Sequence, residues 1–341
     1  MSGLDNSHND KIMPMSEAVN RFVKDGDTVA IANFISPIAY GALHEIIRQK
    51  KRRLTAVIAS SIFELDLWAG SGCLKKVIYS YHTRLRAGER VFDRAVRNYK
   101  IKVEDYTNYT MCAMFAAGAM NLPFMAAKKS ILVTDLYRKG SEKFKVIDNP
   151  FNAGEEVVLV PAIHPDVALV HVQRVDRNGN AQSWGATGTT KHAALASKRI
   201  IVSAEELVED DVVSHSPNNT LIPGFRVDAI CIEPWGSHPV DCLGYYDADY
   251  NSLALFLATT TTEEGFRQWL DEWVFGCQDR AKYIEHYADK FGDGALQRLR
   301  AKSRPSYPVN LGSNLISQIE DLGITQELMD SAADLFEVEV E

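Results

Sequence analysis

Apolar positions along this chain fall in short β-branched blocks separated by amphipathic stretches. The densest blocks lie within residues 155–188, at 157–163 and 167–175, and are broken by His164-Pro165-Asp166. Near-continuous Val, Ile and Leu predicts strands buried on both faces, as in parallel sheets covered by helices. The second block closes on Asp176-Arg177-Asn178-Gly179-Asn180, a turn signal because Asn and Gly tolerate positive φ. The small, polar, Gly-rich segment 181–188 that follows suits a wall holding a ligand against backbone amides.

The same alternation runs upstream and downstream. The pattern predicts helices over 16–23, 42–51, 91–99 and 193–198. It predicts strands over 28–34, 54–61, 76–82, 130–134, 199–203 and 227–233. Residues 108–121 are apolar all round with many small side chains, which reads as a buried helix. Strand and helix alternating in this way predict an α/β fold: an open, mostly parallel sheet with helices on both faces. Thr261 and Glu264 form a capping box, and Phe266, Trp269, Leu270, Trp273 and Val274 follow at helical spacing as a packing stripe. More helices are expected over 281–302. The domain expectation is a flexible N-terminus over 1–14, a body over 15–302, and a linker with an acidic helical tail over 303–341. That tail could pack on the body or on a partner.

Composition narrows the class of protein. A length of 341 residues allows one large or two modest domains, with ample core and no need for disulfide or metal staples. A net charge of −8 argues against a nucleic-acid groove, which needs a basic stripe. Lys50-Lys51-Arg52-Arg53 sits at an expected helix end, where cations suit the carbonyl dipoles. Five cysteines, an odd number without a CxxC pair, suggest a reduced, cytoplasmic chain. The N-terminal residues lack an apolar signal core, and no apolar run is long enough for a membrane span.

Familiar catalytic motifs do not occur. The end of the first strand reads Ala30-Ile31-Ala32-Asn33-Phe34, so there is neither a phosphate-cradling P-loop nor a dinucleotide fingerprint there. The nine histidines show no metal-ligand spacing, and no metal is expected. His164 and Asp166 fit a turn better than a catalytic pair. Ligands of open parallel sheets bind outside the carboxyl ends of the strands. Those ends supply the candidate substrate-binding residues Asn33, Ser36, Ser60, Ser61, His82, Ser237 and His238. Asn108 joins them at the start of the buried helix, where it could equally be an N-cap. Cys112 reads as a small packing residue, since nothing basic stands beside it in sequence.

Several blocks together carry a resemblance. They are Phe144-Lys145-Val146-Ile147-Asp148-Asn149-Pro150-Phe151 before the dense apolar tract, Ile222-Pro223-Gly224-Phe225-Arg226-Val227-Asp228, Gly236-Ser237-His238-Pro239, Cys242-Leu243-Gly244-Tyr245-Tyr246-Asp247 and Glu272-Trp273-Val274-Phe275. Over about residues 15–300 the chain resembles the α subunits of family I CoA-transferases, those of the glutaconate CoA-transferase type in particular. The resemblance implies the fold shared with sugar-phosphate isomerases and an obligate β subunit, usually in an α2β2 assembly. It implies coenzyme A as substrate, with no permanently bound cofactor. It also implies transfer of CoA between an acyl-CoA and a carboxylic acid, a glutaconate-like diacid or a related acid, through a glutamyl-CoA thioester on the β subunit. The family's Ser-Glu-Asn-Gly-like nucleophile segment is not found here, and Ser203-Ala204-Glu205-Glu206-Leu207 matches an ordinary strand-to-helix junction instead. No catalytic residue is therefore expected in this chain, whose part is to build the acyl pocket.

Two departures suggest a changed acyl specificity. Ala32-Asn33-Phe34 stands where the family has Gly-Gly-Phe, and Ser60-Ser61-Ile62-Phe63-Glu64 replaces a Gly-rich loop. Related branches cleave rings of CoA thioesters or decarboxylate CoA esters. The ring-cleaving branch has a catalytic Glu where this chain has Asn108, and an amide is no general base at neutral pH. Asp105 lies one turn away, and the decarboxylating branch has its cysteine on the partner.

Overall fold

The computed structural model describes residues 11–32, 37–83, 89–292 and 294–302. Strands β1 (Thr28–Ile31), β2 (Leu54–Ser61), β3 (Leu74–His82) and β4 (Lys102–Asp105) open the main sheet. Strands β5 (Phe124–Ala127), β6 (Lys145–Asp148) and β7 (Glu156–Pro161) form a separate antiparallel sheet in the order β5-β7-β6. The chain then returns to the main sheet with β8 (Val167–Asp176), β9 (Ala181–Gln182), β10 (Arg199–Val208), β11 (Thr220–Ile222) and β12 (Ala229–Ile232). Its parallel core follows the pairing β12-β10-β8-β1-β2-β3-β4; β9 pairs antiparallel with the end of β8, and β11 antiparallel with β9.

Period-two alternation divides these strands between two cores. Val29, Ile31, Leu54, Ala56 and Ile58 face one side with the helices α1 (Met15–Phe22), α2 (Tyr40–Arg48), α3 (Glu64–Gly70) and α4 (Val91–Asn98). Ala30, Val57, Ala59, Ala168 and Val170 face the other, with α5 (Asn108–Ala119) and the small sheet. Gly118 lets α5 pass close to its neighbours, because a Cβ there would stand 2.2 Å from the Ile163 carbonyl oxygen. The remaining helices are α6 (Asp135–Arg138), α7 (Thr190–Ala196), α8 (Asp210–Ser214), α9 (Tyr250–Thr259), α10 (Glu263–Leu270), α11 (Arg280–Phe291) and α12 (Gly294–Leu299).

The open α/β architecture expected from the sequence is present, with five local corrections. The 157–163 block is not a buried parallel strand. It becomes β7 of the small antiparallel sheet, with Val158 and Val160 buried but Val157 and Leu159 only partly so. The His164-Pro165-Asp166 break hands the next block to a different sheet, which apolar content alone does not reveal. Residues 130–134 form part of a 3-10 turn, Lys129–Val133, in which only Ile131 is buried. The strand at 199–203 runs unbroken through Glu205 to Val208, so the strand-to-helix junction falls at Glu209, after residues 203–207. Thr262, not Thr261, caps α10, accepting from the Gly265 N–H at 3.0 Å. Finally, Lys11–Met13 are tied to the sheet: Ile230 N–H donates to the Lys11 carbonyl at 2.8 Å and Met13 N–H to the Ile230 carbonyl at 3.0 Å. Residues 1–10 and 303–341 lie outside the described residues.

Candidate functional site

β2 and β3 run parallel in register, with Ser60 beside Tyr81 and Ser61 beside His82, so their carboxyl ends finish together. Asn108 opens α5 at this edge. It is not the cap: Thr107 holds that position and accepts from the Thr110 N–H at 3.1 Å. Asn108 is exposed, and its Oδ1 accepts from Ser60 Oγ at 3.0 Å and lies beside Ser80 Oγ, which also contacts the Ala59 carbonyl with its single hydroxyl proton. Among the described residues nothing accepts from its Nδ2, and the bond from Ser60 to Oδ1 turns the amide N–H donors away from the strands. A pair of oriented, neutral donors at strand ends suits a thioester carbonyl or a carboxylate. Ser80 escapes sequence reasoning. A lone serine inside a strand carries no signal, and only the register of β3 against α5 shows its use.

Ser61 and His82 belong to a different arrangement. His82 Nδ1 lies 3.2 Å from Ser61 Oγ, and its Nε2 lies 3.4 Å from Asp66 Oδ2. Asp66 in turn binds the Arg90 guanidinium and the Phe92 N–H. This has the outline of a Ser-His-Asp line, but Ser61 is fully buried and its hydroxyl donates to Glu64 Oε2 at 2.9 Å. The line therefore braces the ends of β2 and β3 and offers no nucleophile. Glu64 is sealed in the same way. Its Oε2 also accepts from the Ile62 and Phe63 amides at 2.6 and 2.8 Å. Burial pushes its carboxyl above the usual range against the opposing pull of those hydrogen bonds.

Ser237 and His238 do not face the cleft proposed from the sequence; both are 0% exposed. Ser237 Oγ accepts from the Ile38 N–H at 2.8 Å and donates to the Asp241 carbonyl, fixing the segment that enters α2. His238 bonds Asp249 through Nε2 at 2.9 Å and the Tyr283 hydroxyl through Nδ1 at 3.0 Å. Burial lowers the His238 pKa, against the pull of Asp249. Burial would raise the Asp249 carboxyl, but hydrogen bonds from His238, Ser252 and Tyr287 outweigh it and hold it well below its ordinary range. Asn33 and Ser36 lie outside the described residues.

Of the segment expected to wall a ligand, 181–184 is packed, while Gly185, Ala186 and Gly188 are exposed. Gln182 is buried, accepting from Arg174 Nε at 2.7 Å and donating to the Ser216 carbonyl at 2.8 Å, while Ser183 bonds Gln173. A second polar network leaves no mark in the sequence pattern. Glu205 Oε1 meets His171 Nε2 at 2.8 Å, the Tyr246 hydroxyl at 2.6 Å and the Gly236 N–H at 3.1 Å; its Oε2 accepts from the Trp235 N–H at 2.7 Å. Trp235 stands at φ 62°, a left-handed conformation held in part by this carboxylate. His171, Glu205 and Cys242 have potential metal-ligand atoms within 4.8 Å of one another, but those of Glu205 already have four donors.

Glu233, just past β12, has its Oε2 shut from solvent, without a partner among the described residues and pressed against Gly41. Burial pushes its pKa up to about 7, partly offset by Arg280 and Arg48. A raised carboxyl pKa means that the folded state loses stability as pH rises from about 4.5 through 7. Glu233→Gln removes that ionisation. The melting temperature of the variant relative to the parent is expected to climb across this window and level off above it. A pH-independent difference would show that Glu233 titrates normally.

Comparison with known proteins places this geometry in a family. The coenzyme A transferase family model matches residues 12–233. The A subunit of 3-oxoadipate CoA-transferase from Pseudomonas knackmussii is 35% identical over 283 residues, 82% of this chain and 99% of that protein. The A subunit of glutaconate CoA-transferase from Acidaminococcus fermentans is 31% identical over 318 residues, 88% of this chain and 98% of that protein. The crystal structure of glutaconate coenzyme A-transferase from that organism superposes with a TM-score of 0.78, covering 88% of this chain and 98% of that one at 30% identity. The decarboxylase AibA/AibB is more distant, with a TM-score of 0.64 and 27% identity over 76% of this chain and 98% of that one. With its strand-end site and this near full-length match, the chain belongs to the coenzyme A transferase family. Within it, the chain is a CoA-transferase subunit of the A type, a kind that implies a B partner. Among the described residues, no helix is long and apolar enough to cross a membrane.

Proposed function

We propose that this chain forms the acyl-binding half of a two-subunit enzyme that moves CoA from an acyl-CoA to a free carboxylic acid of the diacid or oxo-acid kind. A glutamate on the partner attacks the thioester carbonyl and expels the CoA thiolate, leaving a mixed anhydride. The thiolate then attacks the glutamyl carbonyl, releasing the first acid and forming a glutamyl-CoA thioester. The acceptor carboxylate reverses the two steps and leaves as the new acyl-CoA. The observation that supports this reading is the Asn108 amide at the strand ends, oriented by Ser60 and with no acceptor for its N–H donors among the described residues. It would meet the thioester oxygen as negative charge develops there.

The buried carboxylates agree with a nucleophile on the partner. Glu64 and Glu205 are each at most 8% exposed and hydrogen-bonded to neighbouring backbone N–H groups. For a ring-cleaving hydrolase, Asp105 would have to act as base, and its Oδ1 sits 3.3 Å from Lys143 Nζ. Purified alone, the chain is expected to transfer no CoA between an acyl-CoA and a carboxylate. Adding the B subunit encoded with it is expected to restore transfer. Full transfer by the single chain would overturn the proposal.

A further inference from the structure

The sequence pattern of α5 predicts a helix covered all round, yet the structure leaves one of its faces open. Met111, Met114, Phe115 and Ala117 are buried. Asn108, Tyr109, Cys112 and Met120 are exposed, and Ala116 and Ala119 are half-buried. At about 3.6 residues per turn, these last six positions fall within roughly 120° of the helix circumference, with Asn108 at one margin. They form a stripe roughly 18 Å long. Apart from Asn108 at its head, the stripe carries no charge and no amide. Tyr109 is 49% and Met120 59% exposed, and the exposed Leu122 and Phe124 follow beyond the helix end. A helix face turned to water is ordinarily polar. An apolar one marks a surface that another molecule covers. Lys128 Nζ lies over the Tyr109 ring at 5.2 Å, a charge beside the stripe of the kind found at the polar rim of an interface.

Asn108 indicates which molecule this is. On the reading above, its N–H donors meet the thioester oxygen while a glutamate of the partner attacks the carbonyl carbon. The amide then lies about 3 Å from that oxygen, and the attacking carboxylate about 3–3.5 Å from that carbon. The partner's chain therefore stands within one glutamate side chain of the substrate at the head of α5, where the apolar stripe begins. A second copy of this chain could cover the stripe, but it would not bring that carboxylate. Small side chains at Cys112, Ala116 and Ala119 keep the face shallow, so an apolar element of the partner can approach α5 closely, to about 8 Å between axes if it is a helix.

We propose that the B partner docks an apolar surface on the face of α5 formed by Tyr109, Cys112, Ala116 and Met120, and that this contact carries its glutamate to Asn108. The proposal rests on the two-subunit reading above. Cys112 supplies the probe, because it is exposed while the other four cysteines are buried. The full chain, alone and assembled with its partner, is treated with iodoacetamide under native conditions, and alkylation is followed by peptide mass spectrometry. Cys112 is expected to react readily in the chain alone and at least tenfold more slowly in the assembly. Ala116→Glu sets an unpaired carboxylate in the middle of the stripe. It is expected to weaken association by about 10²-fold, since docking would bury that charge. The melting temperature of the chain alone should not move. Both readouts are independent of turnover. An assembly that transfers CoA while Cys112 stays fully reactive, or while Ala116→Glu associates normally, would overturn this docking face and leave the transferase reading in place. Protection of Cys112 already in the chain alone would overturn it too, because the chain itself or a second copy would then cover the face. Failure of the two chains to associate at all would overturn both.

Discussion

Replacing Asn108 with alanine is expected to lower kcat/KM of the assembled enzyme by about 10²-fold, the typical effect of losing one oxyanion donor. Its melting temperature and its association with the partner should stay as they are. The separation is possible because Asn108 is the first residue of α5 and Thr107 supplies the cap. Removing the Asn108 side chain takes away no acceptor that the helix end needs. Ser80 keeps the Ala59 carbonyl as a partner, and Ser60 loses one acceptor beside the exposed Asn108 position, which water can fill, so little folding energy is at stake. Asn108→Asp should be at least as damaging, because it puts a carboxylate where an anion must form. Steady-state kinetics with thermal melts on both variants checks this. Unchanged kcat/KM for Asn108→Ala would remove the amide from the site and leave Ser60 and Ser80 as packing.

The largest effect on stability is expected at Glu205. Alanine there strands the His171 ring, the Tyr246 hydroxyl and the Trp235 and Gly236 amides, all buried, without their acceptor. Breaking a buried network of this kind costs about 3–5 kcal/mol, which lowers the melting temperature by roughly 10 °C. The Trp235 backbone, left-handed at φ 62°, would then lose one of the contacts that hold it. Below its transition the variant should keep its KM for both substrates, because Glu205 touches the loop after β12 and not the Asn108 edge. Lost turnover with unchanged melting would make Glu205 a chemical group.

Much of the fold could be read from the sequence, for identifiable reasons. β8 shows itself because both faces are buried, and every position from Val167 to Gln173 is covered. The run at 54–61 reads correctly for the same reason. β7 looks identical in apolar content, yet one of its faces lies on the open side of the small sheet. Composition cannot tell which surface buries a strand. The site was only half legible. Strand-end reasoning points to Ser60 and Asn108, which the fold does bring together at one edge, and equally to Ser237 and His238, whose side chains fold inward to brace the loop at 235–241. Whether a polar side chain at a strand end turns outward or inward depends on partners distant in sequence, such as Asp249, Tyr283 and Ile38. Glu205 escapes notice because its partners come from β8 and from the loop after β12, up to 41 residues apart in sequence.

That this chain shapes the acyl pocket while its partner carries the covalent intermediate is tested most directly by trapping. The assembled enzyme is incubated with acyl-CoA, the thioester intermediate is reduced with borohydride, and both chains are mapped by peptide mass spectrometry. The expected result is one modified glutamate on the partner, with none on this chain. A modified glutamate anywhere in this chain would contradict it.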